Sequence, residues 1–365
     1  MESKTLSVVH LDDNEAAFSL AVVPFSARGG ELHLVVGTAA DTLISPRSCT
    51  SGYLRTYKFT DDGAGLEFQH KTEVDDVPLA LLAFQGRLVA GVGKALRIYD
   101  IGKKKLLRKV ENKVIIDHQS DSSDLTIYPF QTFTTAIVSL ATQGSRIIVA
   151  DMQESIQFAV YKAPENRLLT FADDSQPRWV SAMAMVDYNT IVAGDRFGNV
   201  FVNRLDPKIS DQVDEDPTGA GILHEKGILM GAPHKTKMLC HFHVGDLITS
   251  IHKVSLVAGG REVLLYTGLH GTIGILVPFV SKEDVDFVST LEQHMRTEQS
   301  SLVGRDQLSW RGYYAPVKAV VDGDLCETYA RLPGGKQQSI ASELDRSVGE
   351  VLKKLEQLRV TASGF

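Results

Sequence analysis

RLVAGVGKALRIYDIGKKKLLRK, residues 87–109, admits three readings. Glycines running into Lys94 suggest a phosphate cradle, five Lys/Arg among the last seven residues suggest a nucleic-acid patch, and apolar runs broken by Gly suggest strands joined by tight turns. Spacing removes the first. A Walker loop needs Gly, four residues, then Gly-Lys-Ser/Thr; with Gly93 and Lys94 as its second half, Leu88 falls where the first Gly belongs and Ala95 replaces the hydroxyl. A dinucleotide fingerprint fails too, because LRIYD is written as a strand rather than a helix start. In KKKLLRKV the apolar pair interrupts the charges. Lys103, Lys104, Lys105, Arg108 and Lys109 therefore read as the solvent-facing side of an exposed strand, with nucleic-acid contact as the competing reading.

The strand reading extends along the chain. RLVAGV (87–92) has counterparts in HLVVGT (33–38), RIIVAD (146–151), TIVAGD (190–195) and VLLYTG (263–268), each an aliphatic run ending in Gly or Asp. A strand candidate precedes each (FSLAVVPF, VPLALLAF, AIVSLATQ, WVSAMAMV, LITSIHKV) and another follows (YLRTYKF, LRIYDIG, IQFAVYK, NVFVNRL, IGILVPF). Gly and Asn in AFQGR, MVDYNT and DRFGN supply the positive φ of hairpin turns. A fourth strand is visible in LEFQHKTEV (66–74) and RLLTFADD (167–174). Four-stranded units at roughly 40–50 residue intervals predict β-propeller blades, five of them between residues 15 and 280.

After Phe279 the pattern becomes helical. Val285, Val288, Leu291 and Met295 share one face of a predicted helix over 281–298, and Val348, Val351, Leu352, Leu355 and Leu358 share another. Residues 310–321 between them are read as a candidate closing strand followed by a short helix. Residues 113–136 and 207–237 read as surface loops.

The 365 residues can hold one large domain or two to three ordinary ones. A net charge of -7 argues against a surface that grips nucleic acid all over. Cys49, Cys240 and Cys326, odd in number and widely spaced, fit a reducing compartment. Neither a signal-peptide core nor a run of roughly 20 apolar residues is present, so a soluble intracellular protein is expected.

Sites of chemistry find little support. CHFHV (240–244) has no second ligand pair for zinc, and strand alternation sets Cys240 and Phe242 opposite His241 and His243. Asp322, Asp324 and Glu327 could be a carboxylate site, but capping of the following helix by Asp322 or Asp324 is the preferred reading. DEDP (214–217) reads as a solvated turn, and no nucleophile elbow or coherent triad spacing occurs.

YLRTYKF, LEFQHKTEV, SRIIVADMQESI, DRFGNVFVNRL, GTIGILVPF, GRDQLSWRGYY, VDGDLCE and ELDRSVGEVLKKLE, in order, resemble the family of the large cleavage and polyadenylation specificity factor subunit and damaged-DNA-binding protein one. GKKKLLRK, VDEDPTG and PRWV resemble its splicing branch, in the C-terminal third. The resemblance implies a mainly β fold: most of a seven-bladed propeller over 1–280, the third of three, and a helical domain over 281–365. It implies a nuclear scaffold without catalysis, cofactor or metal, held against the HEAT-repeat subunit and small subunits of splicing factor 3b within the U2 snRNP at the branch site. RNA contact would be at most indirect, and no membrane is involved. The alternative is a nucleic-acid-binding or ubiquitin-ligase adaptor propeller of the same family. Protein contacts are implied in 175–196 and 247–271 and near Ser45 and Lys318. The candidate interface residues are Ser45, Arg47, Arg178, Trp179, Tyr188, Asp195, Arg196, Thr249, His252, Tyr266, His270 and Lys318, with PRWV expected to expose its Arg-Trp pair. For each, a blade-core or turn residue is the competing reading. Between Lys113 and IVSLATQG the chain is longer than the family pattern by roughly 18 residues, a lineage-specific loop or an intron translated in frame.

Overall fold

Each of the five repeats folds into its own antiparallel sheet in a computed structural model that describes residues 5–361, apart from 13, 61–62, 113–115, 118–125, 128–132, 134, 230 and 299–303. The first sheet pairs β1 (Glu15–Phe25), β2 (Glu31–Ala40), β3 (Ser51–Thr60) and β4 (Gly65–Val74) in chain order. The second pairs β5 (Pro78–Phe84), β6 (Arg87–Val92), β7 (Ala95–Ile101) and β8 (Leu106–Glu111). After the two-residue strands β9 (Ile116–Asp117) and β10 (Thr126–Ile127) comes a third sheet of β11 (Ile137–Gln143), β12 (Arg146–Asp151), β13 (Ile156–Lys162) and β14 (Arg167–Asp173). The remaining strands are β15 (Val180–Asp187), β16 (Thr190–Asp195), β17 (Asn199–Arg204), β18 (His234–Lys235), β19 (Lys237–His243), β20 (Ile248–Ser255), β21 (Glu262–Gly268) and β22 (Ile273–Leu276). A fourth sheet has the order β15-β16-β17-β19 and a fifth β20-β21-β22. Meanders of this kind are propeller blades, and the chain is mainly β as the repeat pattern requires. Most of the expected 113–136 insertion lies outside the described residues, and the second blade keeps all four strands beside it.

Packing divides the chain into two units, Met1–Val180 with Leu205–Lys237, and Ser181–Arg204 with Met238–Phe365. In the first, the second blade is covered on both faces. Leu88, Ala90, Tyr99, Ile101 and Leu106 pack with Val23, Phe25, Val35 and Leu54 of the first blade. Val89, Leu96 and Ile98 pack with Ile147, Val149 and Ala159 of the third. Burial on both faces explains why these strands are written as continuous apolar runs rather than alternating ones. The lysine run is placed differently from expectation: Lys103, Lys104 and Lys105 occupy the turn before β8, and of the five cations only Arg108 and Lys109 lie in the strand.

The 207–237 segment is not a plain surface loop. Asp206 caps α1 (Pro207–Glu215), accepting from the Lys208 amide, and Pro207 occupies the first turn where its missing N–H costs nothing. Arg146 of β12, fully buried, donates to Asp214 at 3.1 Å and to Ser210 at 3.0 Å. Asp216 of the supposed acidic turn accepts from the Thr218, Gly219 and Gly221 amides around the start of α2 (Ala220–His224). β18 then adds to β14 as a parallel fifth strand, with Lys235 paired to Asp173.

In the second unit, α3 (Lys282–Glu298), α4 (Gln307–Arg311), α5 (Gly323–Glu327), α6 (Gly334–Glu343) and α7 (Val348–Thr361) follow β22. Phe287, Val288, Leu291 and Met295 pack on Leu325, Cys326, Tyr329, Ile340 and Val351. Val285, in the first turn of α3, is exposed instead of joining that face. Asp322 caps α5 as the capping reading expects, accepting from the Leu325 amide. Of residues 310–321, expected as a closing strand, Trp310 and Arg311 end α4 and the rest carry one isolated β-bridge, Lys318 to His241.

Candidate functional site

Three turns and one short helix converge at one end of the fourth and fifth blades. Gly198, at φ +84°, lets the β16–β17 turn lie on the β19–β20 turn: a Cβ there would stand 2.8 Å from the Asp246 amide nitrogen, and the Gly198 carbonyl accepts from the Val244 amide at 2.7 Å. Asp195 closes the first turn from inside, accepting from the Phe197 and Asn199 amides at 2.9 Å and from Asn199 Nδ2 at 2.7 Å. The amide orientation of Asn199 leaves its Oδ1 to accept from Nδ1–H of His243 at 3.0 Å. Burial and the neighbouring Arg311 cation push the His243 pKa down, which keeps this ring neutral.

Asp246 fixes the β21–β22 turn. It accepts from the Thr272 hydroxyl and the His270 Nδ1–H, both at 2.7 Å, and from the His270 amide. The Thr272 hydroxyl, followed by the His270 contacts, holds the Asp246 pKa down to about 2. Trp310 of α4 lies over Gly245 and meets the His243 ring edge-on at 5.1 Å. Arg311 donates to the His243 carbonyl at 3.1 Å and to Asp322 at 2.7 Å, tying α4 both to the turns and to the cap of α5.

The expected interface residues divide by accessibility. Ser45 and Arg47 are exposed in the β2–β3 loop. Thr249 and His252 are exposed on β20, His270 has 79% of its side chain in solvent, and Lys318 is exposed beside its bridge to His241. Arg196 is exposed in the β16–β17 turn, while Trp179, Tyr188 and Tyr266 are half-buried. Tyr266 lies against Gly274, and burial raises its pKa. Two residues depart from expectation. PRWV does not expose an Arg-Trp pair: Arg178 is 1% exposed, donates to Gln176 at 2.8 Å and pairs with Asp174. Asp195 is fully buried, because its carboxylate organises the turn that carries Arg196. CHFH (240–243) of CHFHV ends β19, with His241 and His243 buried and Cys240 half-buried.

Sequence reasoning missed Phe197, Tyr313, Tyr314 and Arg305. Phe197 stacks on Tyr314 with centroids 5.9 Å apart and planes 9° from parallel. Arg196 lies 5.8 Å from the Phe197 ring and Arg305 lies 5.1 Å from the Tyr313 ring. The available signal was Phe197 in the turn sequence DRFG, where a large apolar side chain has no core to enter; WRGYY falls in the stretch read as a closing strand, a reading that hides its tyrosines.

Residues 1–331 match the family model described as CPSF A subunit region. The chain belongs to that family. Within the CPSF A family it is 60% identical over all of its 365 residues to pre-mRNA-splicing factor RSE1 of Mycosarcoma maydis. It is 50% identical over 364 residues to pre-mRNA-splicing factor rse1 of Neurospora crassa, and 48% identical over 359 residues, 98% of this chain, to splicing factor 3B subunit 3 of Danio rerio. The chain spans 28% of the length of each of these relatives.

Proposed function

We propose that this chain is a non-catalytic scaffold region of splicing factor 3b, acting in the nucleus within the U2 snRNP and supporting branch-site recognition through protein contacts. The observation that carries the reading is identity of 48–60% along essentially the whole chain to relatives named as splicing factors. Residues 1–280 serve as the propeller part and 281–365 as the helical part. The partners are the HEAT-repeat and small subunits, met through turns and blade edges that carry Ser45, Arg47, Tyr188, Arg196, Thr249, His252, His270 and Lys318. Trp179, Tyr188 and Tyr266, half-buried, present only part of their rings. Arg178 and Asp195 act behind that surface, Asp195 by holding turn amides and Arg178 by holding the Gln176 and Asp174 side chains. Such turns suit the role because a blade framework positions them while leaving their side chains in solvent. Co-expression of the tagged chain with these subunits, followed by gel filtration, tests the reading: co-elution is expected, and elution of the chain alone while the other subunits assemble would refute it.

A further inference from the structure

We propose that His70 is an acid-operated latch on β4, the outermost strand of the first blade: neutral, it lets the strand close over it, and protonated, it opens the strand. His70 is 7% exposed, and Thr56, directly opposite it on β3, is fully buried. Neither ring nitrogen of His70 has a hydrogen-bond partner among the described residues, and neither does the Thr56 hydroxyl. A ring placed in this way is tolerable only while it carries no charge, because a buried cation needs an acceptor or a carboxylate beside it. Opening can stay local. β4 is an edge strand that pairs with β3 alone, so it can leave without unmaking the other three strands of its sheet.

The surroundings offer a proton on this ring no compensation. The titratable and charged groups that act on His70 are His33 of β2 and Arg28 of the helical turn Ser26–Arg28, both of cationic type. The carboxylate beside His33, Glu31, is already engaged with Lys58 at 2.6 Å and with His33 at 3.7 Å. From the second blade, the turn before β8 reaches Thr72, the next residue on this face of β4, through the Leu106 amide at 2.8 Å, and its charged members Lys103, Lys104 and Lys105 are exposed cations. Burial first, then His33, holds the His70 pKa below the ordinary 6.5. The open strand takes up its proton at the ordinary value and the closed strand only at lower pH. Closure is therefore unpenalised above pH 6.5 and weakens as pH falls below it. Glu15, with its pKa near 2, stays ionised throughout that range, so the ion pairs that tie Lys71 and Arg55 to β1 do not respond there.

Hydrogen–deuterium exchange of the full chain at pH 7.5 and 5.5, corrected for the intrinsic pH dependence of amide exchange, tests the latch. Gly65–Val74 should exchange about fivefold faster at pH 5.5 relative to the other strands of the first blade; a group that titrates at 6.5 when open can supply at most about tenfold one unit below that value. His70→Phe should abolish the acceleration. In parallel, the His70 ring of the parent chain, followed by nuclear magnetic resonance with labelled histidine, should titrate with a midpoint below 6.5, and this measurement decides alone should His70→Phe not fold. Exchange in Gly65–Val74 that ignores pH, an acceleration that persists in His70→Phe, or a ring midpoint at or above 6.5 would each overturn the proposal.

Discussion

Gly91 shows what a single position in the repeat does. The sequence pattern ends each middle strand at Gly or Asp, which suggests a residue chosen for the turn. Gly91 instead pairs inside the sheet, opposite Ala80, and faces the first strand of the next blade. A Cβ there would lie 2.4 Å and 2.6 Å from two atoms of Ile137, and Gly194 stands in the same relation to Ile248. Both isoleucines sit at a register shift that opens their strand, Ile137/Ser139 and Ile248/Ser250, so a bulge aims each residue at the glycine of the preceding blade. Replacing Gly91 with Ala should overpack this joint and destabilise the chain by about 2 kcal/mol in urea unfolding; an unchanged midpoint would show that the contact yields freely. The glycine was legible in the sequence, but its reason was not, because close approach between sheets leaves no periodic signal. The same holds for Asp195 and Arg178, whose burial depends on partners within a turn rather than on hydrophobicity.

At the scale of elements, strands were legible wherever two faces are buried, and the helices of α3 and α7 wherever one face is apolar. The helix α1 was hidden inside a Gly-, Pro- and acid-rich stretch, though Asp206 followed by Pro207 is a start signal in its own right. Cross-strand polar networks leave no pattern at all. In the first blade each strand contributes one residue to such a network: Glu15 of β1, Thr38 of β2, Arg55 of β3 and Lys71 of β4. Glu15 and Arg55 side chains are 2% and 7% exposed, and the Arg55 guanidinium above all holds the Glu15 pKa down from 4.5 to about 2. A depressed carboxyl stabilises the fold above its unfolded pKa and loses that contribution as pH falls toward the folded value. The network should therefore support the blade fully above pH 4.5 and fail progressively from there toward about 2. Glu15→Gln should cost about 2 kcal/mol near neutral pH, by leaving the buried Arg55 with only the exposed Asp12 as a charged partner, and should flatten the acid limb of the stability profile. An acid limb identical to the parent's would assign that loss to other carboxyls.

For the whole molecule, repeat counting captured the five blade sheets, and the resemblance carried by motifs such as LEFQHKTEV and VDGDLCE pointed to the family that the chain belongs to. It did not capture the exposed aromatic group in the second unit, which depends on residues 197 and 305–314 meeting in space. We propose that blade turns of this chain, and not its lysine-rich turn at 103–105, meet partner subunits of splicing factor 3b. Hydrogen–deuterium exchange on the chain, alone and assembled with the splicing factor 3b subunits, tests this most directly. Slowed exchange on assembly is expected in 188–197 and 247–271, with 103–105 unchanged. Assembly that protected 103–105 and left both turn segments exchanging as in the free chain would contradict it.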